Sequence, residues 1–209
     1  FIKFHYQKYK DKDISALLAK QLANYTIMHG SRDYFQVQYR GYLFELIPVL
    51  AITHAEQAKN ITDISPLHAI WVKRHIKSYA DDIRLAKQFL RANSLYGAES
   101  YIKGFSGYLV EVLTIHYRGF LNLIKAAASW REQEIIDIEK HYKTKHEALK
   151  NLNKSKHGNL IVLDPVQKTR NVAAALSKEK YIAFVKLCNS FLHSPSTSFF
   201  EKKAFSLPI

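Results

Sequence analysis

The chain has 209 residues, 47% hydrophobic and 23% charged, with only 7 glycines and 5 prolines, a composition that excludes disordered and collagen-like chains and leaves room for one generous domain or two small ones. Lysine and arginine total 31 against 18 aspartates and glutamates, a formal charge of +13, so an anionic partner is expected: nucleic acid, nucleotide phosphate or a membrane surface. The one cysteine, Cys188, excludes an intrachain disulfide and a cysteine-based zinc site, and points to a reducing compartment, the cytoplasm.

Taken in chain order, Phe1–Phe4 alternate weakly and read as the end of a strand. Asp13 can cap a helix whose apolar stripe is Ile14, Leu17, Leu18, Leu22 and Tyr25, closed by Gly30. A hairpin follows: Phe35, Val37 and Tyr39 alternate with glutamines, Arg40–Gly41 turns the chain, and Tyr42–Leu50 returns. The longest apolar stretch, Tyr42–Ile52, holds Glu45 and Pro48 and is too short to span a bilayer. Strand, helix and hairpin in this order predict a mixed sheet with a helix on one face.

At Ala55 the character becomes polar, and helices dominate afterwards. Ser65–Pro66 starts a helix carrying His68, Trp71, Val72, His75 and Ile76; a second runs from Asp81–Asp82 to about Asn93. Two more follow Gly107 and Gly119, ending near Trp130. Gln133–Glu139 and Asn159–Leu163 read as strands joined by a very basic connector, Arg170–Leu176 as a turn or short helix, and Ser177 caps a final amphipathic helix through Leu192. The only methionine is Met28, no charged-then-apolar leader is read at the start, and the chain is expected to be an internal piece of a longer protein.

Several residues suggest chemistry. Strand alternation places Glu45 with Leu43 and Ile47, where a buried carboxylate needs either a cationic partner or a metal. Arg84, Lys87 and Arg91 form one basic ridge with Tyr96 just past the helix end, either a solvated face or a triphosphate grip. Lys103, Gly104, Ser106 and Gly107 form a glycine-flanked turn into a helix, where a phosphate can approach free N–H groups or where a helix simply starts. Arg170 can fork to a phosphate or base edge, or pair with Asp164; Lys168 and Asn171 flank it. The lysines of Lys140–His157 suit nucleic-acid backbone contact or a solubilising loop. His75, Trp71 and Trp130 read as core residues, Cys188 sits on an apolar helix face, and the histidines show no metal spacing.

Three stretches carry a resemblance: Leu95-Tyr96-Gly97-Ala98-Glu99 with Lys103-Gly104-Phe105-Ser106-Gly107-Tyr108-Leu109-Val110-Glu111-Val112-Leu113; Val162-Leu163-Asp164-Pro165-Val166 with Arg170-Asn171-Val172-Ala173-Ala174; and Ser196-Thr197-Ser198-Phe199-Phe200. In order and spacing the whole chain resembles the archaeal (class I) CCA-adding enzymes, tRNA nucleotidyltransferases. The resemblance implies an α+β fold: residues 1–54 as the second half of a polymerase-β-like palm, then 55–209 as a mainly helical central domain with a β-hairpin. It implies template-independent addition of C, C and A to tRNA 3′ ends from CTP and ATP, with Mg2+ as cofactor.

Carried over residue by residue, it makes Glu45 the third catalytic carboxylate and a metal ligand, where the family usually has Asp. Ser65, standing where Thr is common, and His68 lie near the nucleotide. Lys87 and Tyr96 hold the triphosphate, Arg170 recognises the incoming base, and the Gly104–Gly107 turn with Lys103, Ser106, Lys168 and Asn171 faces RNA. The family's paired acids would precede Phe1 and its C-terminal tRNA-binding domain would follow Ile209, so the isolated chain is expected to be inactive. The partners implied are the tRNA 3′ end, CTP and ATP, with a second copy of the chain as a further candidate and no membrane. The alternatives are a poly(A)-polymerase-like transferase and a non-catalytic RNA-binding module.

Overall fold

The computed structural model describes residues 1–202, in two units divided between Trp71 and Val72. The first opens with strand β1 (Ile2–His5), the short helix α1 (Tyr6–Tyr9) and helix α2 (Ile14–Ala19). Asp13 caps α2 by accepting from the Ala16 N–H at 3.0 Å, as expected, but the helix ends at Ala19 and not near Tyr25. Asn24 takes a left-handed φ of 55°, and the aromatic and β-branched residues beyond it form a strand, β2 (Tyr25–Met28). The Tyr25 ring packs edge-on against Phe35, 5.1 Å between centroids. Gly30 therefore closes no helix.

The hairpin forms as predicted. Strands β3 (Tyr34–Tyr39) and β4 (Tyr42–Leu46) pair antiparallel, with Arg40 and Gly41 both at positive φ (48° and 80°), the backbone a tight two-residue turn needs. The returning strand is shorter than predicted. Pro48 has no N–H to donate, the chain leaves β3 at Ile47, and β5 (Pro48–Ala51) pairs in parallel with β1. The parallel and antiparallel pairings of the expected mixed sheet are thus present, divided between a two-stranded and a three-stranded sheet.

The polar stretch after Ala55 stays with the first unit because one buried carboxylate ties it there. Asp63 is fully buried, accepts from the Leu50 N–H at 2.8 Å and from the N–H groups of Lys59 and Asn60, and forms a two-pronged ion pair with Arg32. The compact units consequently divide later than the change of composition at Ala55, inside helix α3 (Ser65–His75).

In the second unit helices pack beside a small three-stranded sheet. Helices α4 (Ala80–Ala92), α5 (Gly107–His116) and α6 (Phe120–Ala128) appear where the sequence places them. Asp82 does more than complement its own helix: its carboxylate accepts from the Phe120 N–H at 2.7 Å and so caps α6. Then come β6 (Glu134–Ile136), the seven-residue helix α7 (Lys145–Asn151), β7 (Leu160–Asp164), β8 (Gln167–Asn171) and the long α8 (Lys178–His193), capped by Ser177.

Helix α7 is not predicted within the basic connector, but its spacing buries Ala148 against Ile161 and Leu163 and turns the lysines outward. Nor is β8, whose polar, basic Gln167–Asn171 lacks a strand's alternation and is held by hairpin pairing with the apolar β7. Phe199 and Phe200, in a turn of 3-10 helix, close an aromatic cluster with Phe89, Phe120 and Phe191. Trp71, Trp130 and Cys188 are buried, as expected, and burial pushes the Cys188 thiol up, away from reactivity.

Candidate functional site

Helix α4 buries Ile83, Ala86, Phe89 and Leu90, which leaves its three cations along the neighbouring flank. They take different environments. Arg84 pairs with Asp81 in solvent. Arg91 lies over the Tyr96 ring, 4.4 Å from its centroid. Lys87 turns inward, 20% exposed, with Nζ 2.6 Å from Glu111 Oε1 on α5.

The loop between α4 and α5 brings the Tyr96 hydroxyl and this ammonium to the same side of Gly107. Leu95–Gly97 and Phe105 run side by side, the Phe105 N–H donating to the Leu95 carbonyl at 2.8 Å and the Gly97 N–H to the Phe105 carbonyl at 2.9 Å. A side chain at Gly104 would overlap the Leu95 carbonyl oxygen, so Gly104 is required for this backbone approach. Ser106 caps α5 by accepting from the Leu109 N–H at 3.1 Å. A Cβ on Gly107 would lie 2.8 Å from Tyr96 Oη and 3.9 Å from Lys87 Nζ. Hydroxyl and ammonium therefore converge over the first turn of α5, at the positive end of its dipole, where a side chain would otherwise stand. Such an arrangement can hold an anion, with the Lys87 ammonium also paired to Glu111.

Tyr108, the next residue, faces a second group. Its hydroxyl donates to Asp164 Oδ1 at 3.3 Å, Asp164 is wholly buried, and Asp164 Oδ2 lies 2.6 Å from a terminal guanidinium nitrogen of Arg170. Burial, and then the charge of Asp164 and the hydrogen bond to it, push the Tyr108 phenol far above its ordinary range, so its proton stays in place as a donor. Arg170 thus makes the pair with Asp164 and is still 30% exposed.

Lys103 (φ 53°) is exposed and its carbonyl accepts from the Ser177 N–H, while Lys168 is exposed on β8. Asn171 requires a correction: it is 3% exposed, Oδ1 accepts from the N–H groups of Val162 and Ala173, and Nδ2 donates to the carbonyls of Lys156 and Leu160. With both ends of its amide engaged, it pins the hairpin. Gly104 likewise serves the backbone approach above and is buried.

In the first unit, Ser65 and His68 are half-buried in the first turns of α3. Glu45 also differs from expectation. The register places Phe44 opposite Val37 and Leu46 opposite Phe35 on the apolar face, and Glu45 opposite Gln36 on the polar one. Its carboxylate is exposed and accepts from Gln36 Nε2 at 3.1 Å. Among the described residues no three His, Cys, Asp or Glu side chains stand together to hold a metal. Magnesium needs six oxygens, so the residues present do not fit a complete site for it. Glu111 and Tyr108 belong to the site and are not singled out by the sequence reading. Glu111 stands four residues after Gly107, and that i+4 relation on α5 is the signal that finds it; Tyr108, adjacent to Gly107, faces Asp164 instead, and spacing alone does not mark it.

Residues 81–201, more than half of the chain, match the family model described as tRNA nucleotidyltransferase, second domain. The CCA-adding enzyme of Nanoarchaeum equitans is 42% identical over 96% of this chain and 54% of its own length. That of Methanosarcina barkeri is 39% identical over 90% and 41%, and that of Pyrococcus abyssi 37% identical over 92% and 44%. The chain thus spans about half, or less, of the length of these relatives. Among solved structures, that of a cytoplasmic RNA terminal U-transferase superposes with a TM-score of 0.58 at 11% identity, covering 91% of this chain and 75% of that one, which bears on the fold alone.

Proposed function

The chain belongs to the tRNA nucleotidyltransferase family through its second domain, and on that premise we propose that its protein adds C, C and A to the 3′ end of tRNA, taking nucleotides from CTP and ATP and releasing pyrophosphate. The observation that carries the reading is the convergence of Lys87 Nζ and Tyr96 Oη over Gly107. Phosphoryl and nucleotidyl transfer ask a protein for positioning and charge stabilisation more than for covalent chemistry. A triphosphate on the first turn of α5 would draw the Lys87 ammonium from Glu111, accept a hydrogen bond from Tyr96, and meet the helix dipole. Arg170 would meet the incoming base, and Ser65 and His68 would border the nucleotide. Lys103, Ser106, Gly107 and Lys168 would face the RNA end.

In the same reading residues 1–54 are the second half of the palm and residues 55–209 the central domain that binds nucleotide and tRNA. Glu45 would offer one oxygen to a magnesium ion whose other ligands these residues do not supply. The 209-residue chain alone is accordingly expected to bind nucleotide weakly and to incorporate none. No helix of the described residues is long and apolar enough to cross a membrane, and a lone buried cysteine suits the reducing cytoplasm. The test is product length: the full-length protein, given a tRNA transcript lacking its terminal CCA with CTP and ATP, is expected to stop after three nucleotides. A homopolymeric adenylate tail would replace this reading with a poly(A)-polymerase-like one.

A further inference from the structure

We propose that Asp164 is a positioning residue for Arg170, and that Tyr108 joins it to the first turn of α5, so that the group meeting the base is held at a set distance from the group holding the triphosphate. This rests on the reading above that Arg170 meets the base and that Lys87 and Tyr96 meet the phosphates.

A wholly buried carboxylate persists only when its lone pairs are filled, and those of Asp164 are filled by three different elements. Arg170 on β8 takes Oδ2 at 2.6 Å. Oδ1 accepts from Tyr108 Oη on α5 at 3.3 Å and from the Val166 N–H in the hairpin turn at 3.0 Å. The β7–β8 register shifts between Leu163 and Asp164, and such an irregularity re-aims a side chain. Here it lets Asp164 serve both α5 and Arg170. The guanidinium is tied at one terminal nitrogen while 30% of the side chain stays exposed, which leaves a donor edge in one orientation. An untethered arginine samples many rotamers and recognises charge; a tethered one presents its planar fork in one direction and so recognises the pattern of donors and acceptors on a base edge.

Tyr108 gives the arrangement its reach. It follows Gly107 directly, so the residue that bonds Asp164 is adjacent to the residue over which Lys87 and Tyr96 converge. The proton that makes it a donor is retained across the working pH range because burial and the nearby carboxylate hold the phenol neutral. Base end and phosphate end of a nucleotide would then be gauged against a single helical turn.

The experiment uses the full-length protein with a tRNA ending one nucleotide short, and compares wild type, Asp164→Asn, Tyr108→Phe, Asp164→Glu and Arg170→Ala. It measures kcat/KM for ATP against CTP at that step, and inhibition by inorganic triphosphate. For Asp164→Asn the ATP preference is expected to fall about tenfold, the order of one charge-assisted hydrogen bond, with a smaller fall for Tyr108→Phe, partial recovery in Asp164→Glu, and triphosphate inhibition unchanged. Should Asp164→Asn not fold, Tyr108→Phe carries the comparison. Unaltered preference in Asp164→Asn and Tyr108→Phe, with Arg170→Ala still altering it, overturns this inference alone. Equal losses for base preference and triphosphate inhibition overturn it in favour of a general structural role. Unaltered preference in Arg170→Ala removes the underlying reading of Arg170, and the inference with it.

Discussion

At Gly107 a single added methyl group separates a fold effect from a binding effect. Its carbon would press on the Tyr96 hydroxyl at 2.8 Å, while at this first helical position alanine gains only part of the about 1 kcal/mol it holds over glycine in a helix interior. Gly107→Ala is therefore expected to keep the melting temperature or raise it slightly while weakening CTP binding several-fold, read by calorimetry and thermal unfolding on one preparation. Lys87→Ala removes the ammonium at that point of convergence. The expected loss in CTP affinity is about 10–100-fold, as for a charged hydrogen bond worth about 1.5–3 kcal/mol, with cytidine binding unmoved. At this scale the sequence exposes Lys87 and Tyr96, because an i,i+3/i+4 ridge ending beside a tyrosine is a visible pattern. Alternation alone pairs Glu45 with Leu43 correctly, yet cannot tell which face of the hairpin packs inward. Asn171 looks like a free amide because nothing in a sequence shows four backbone groups arriving around it.

Among the elements, the stretch Ala55–Ile64 is held by the buried Asp63 together with its buried Ala55 and Ile64. Its burial pushes the Asp63 carboxyl up, but the Arg32 hydrogen bonds, the Leu50 and Asn60 N–H groups and the Arg32 charge outweigh that, and its pKa lies below the ordinary 3.8. A depressed carboxyl contributes its full stabilisation above the unfolded pKa and loses it as pH falls through the folded one. Thermal stability of the first unit should therefore hold down to about pH 4 and decline below it, and Asp63→Asn should cost about 3–5 kcal/mol at neutral pH by leaving Arg32 buried without its charge partner. Urea unfolding of the two proteins at pH 7 and at pH 3 checks both, with the difference between them expected to shrink at the lower pH.

Helices α4, α5, α6 and α8 are legible because caps and apolar stripes agree there. The stretch Leu22–Tyr25 reads as helix, wrongly, because Leu and Tyr at helical spacing also suit a strand once Asn24 breaks the turn. Strand β8 escapes a sequence reading because its partner, and not its own pattern, makes it a strand.

For the whole molecule, the surplus of +13 is carried in part by lysines outside the candidate sites. Lys150, Lys154 and Lys156 project from α7 and the turn after it, whose apolar side is packed on β7. Read as partners of the RNA backbone, they release counterions, so replacing all three with Gln should lower the salt slope of tRNA binding by about 0.7–0.9 for each phosphate left without its lysine; an unchanged slope would leave them as solubilising charge. The proposed activity depends on the nucleotide's phosphates resting on the first turn of α5. Amide chemical-shift mapping of the 209-residue chain tests that directly. With CTP the largest shifts should fall on Gly107 and Tyr108, and with cytidine these two amides should stay where they are. Shifts from CTP that spare Gly107 and Tyr108, or identical shifts from CTP and cytidine, would contradict it.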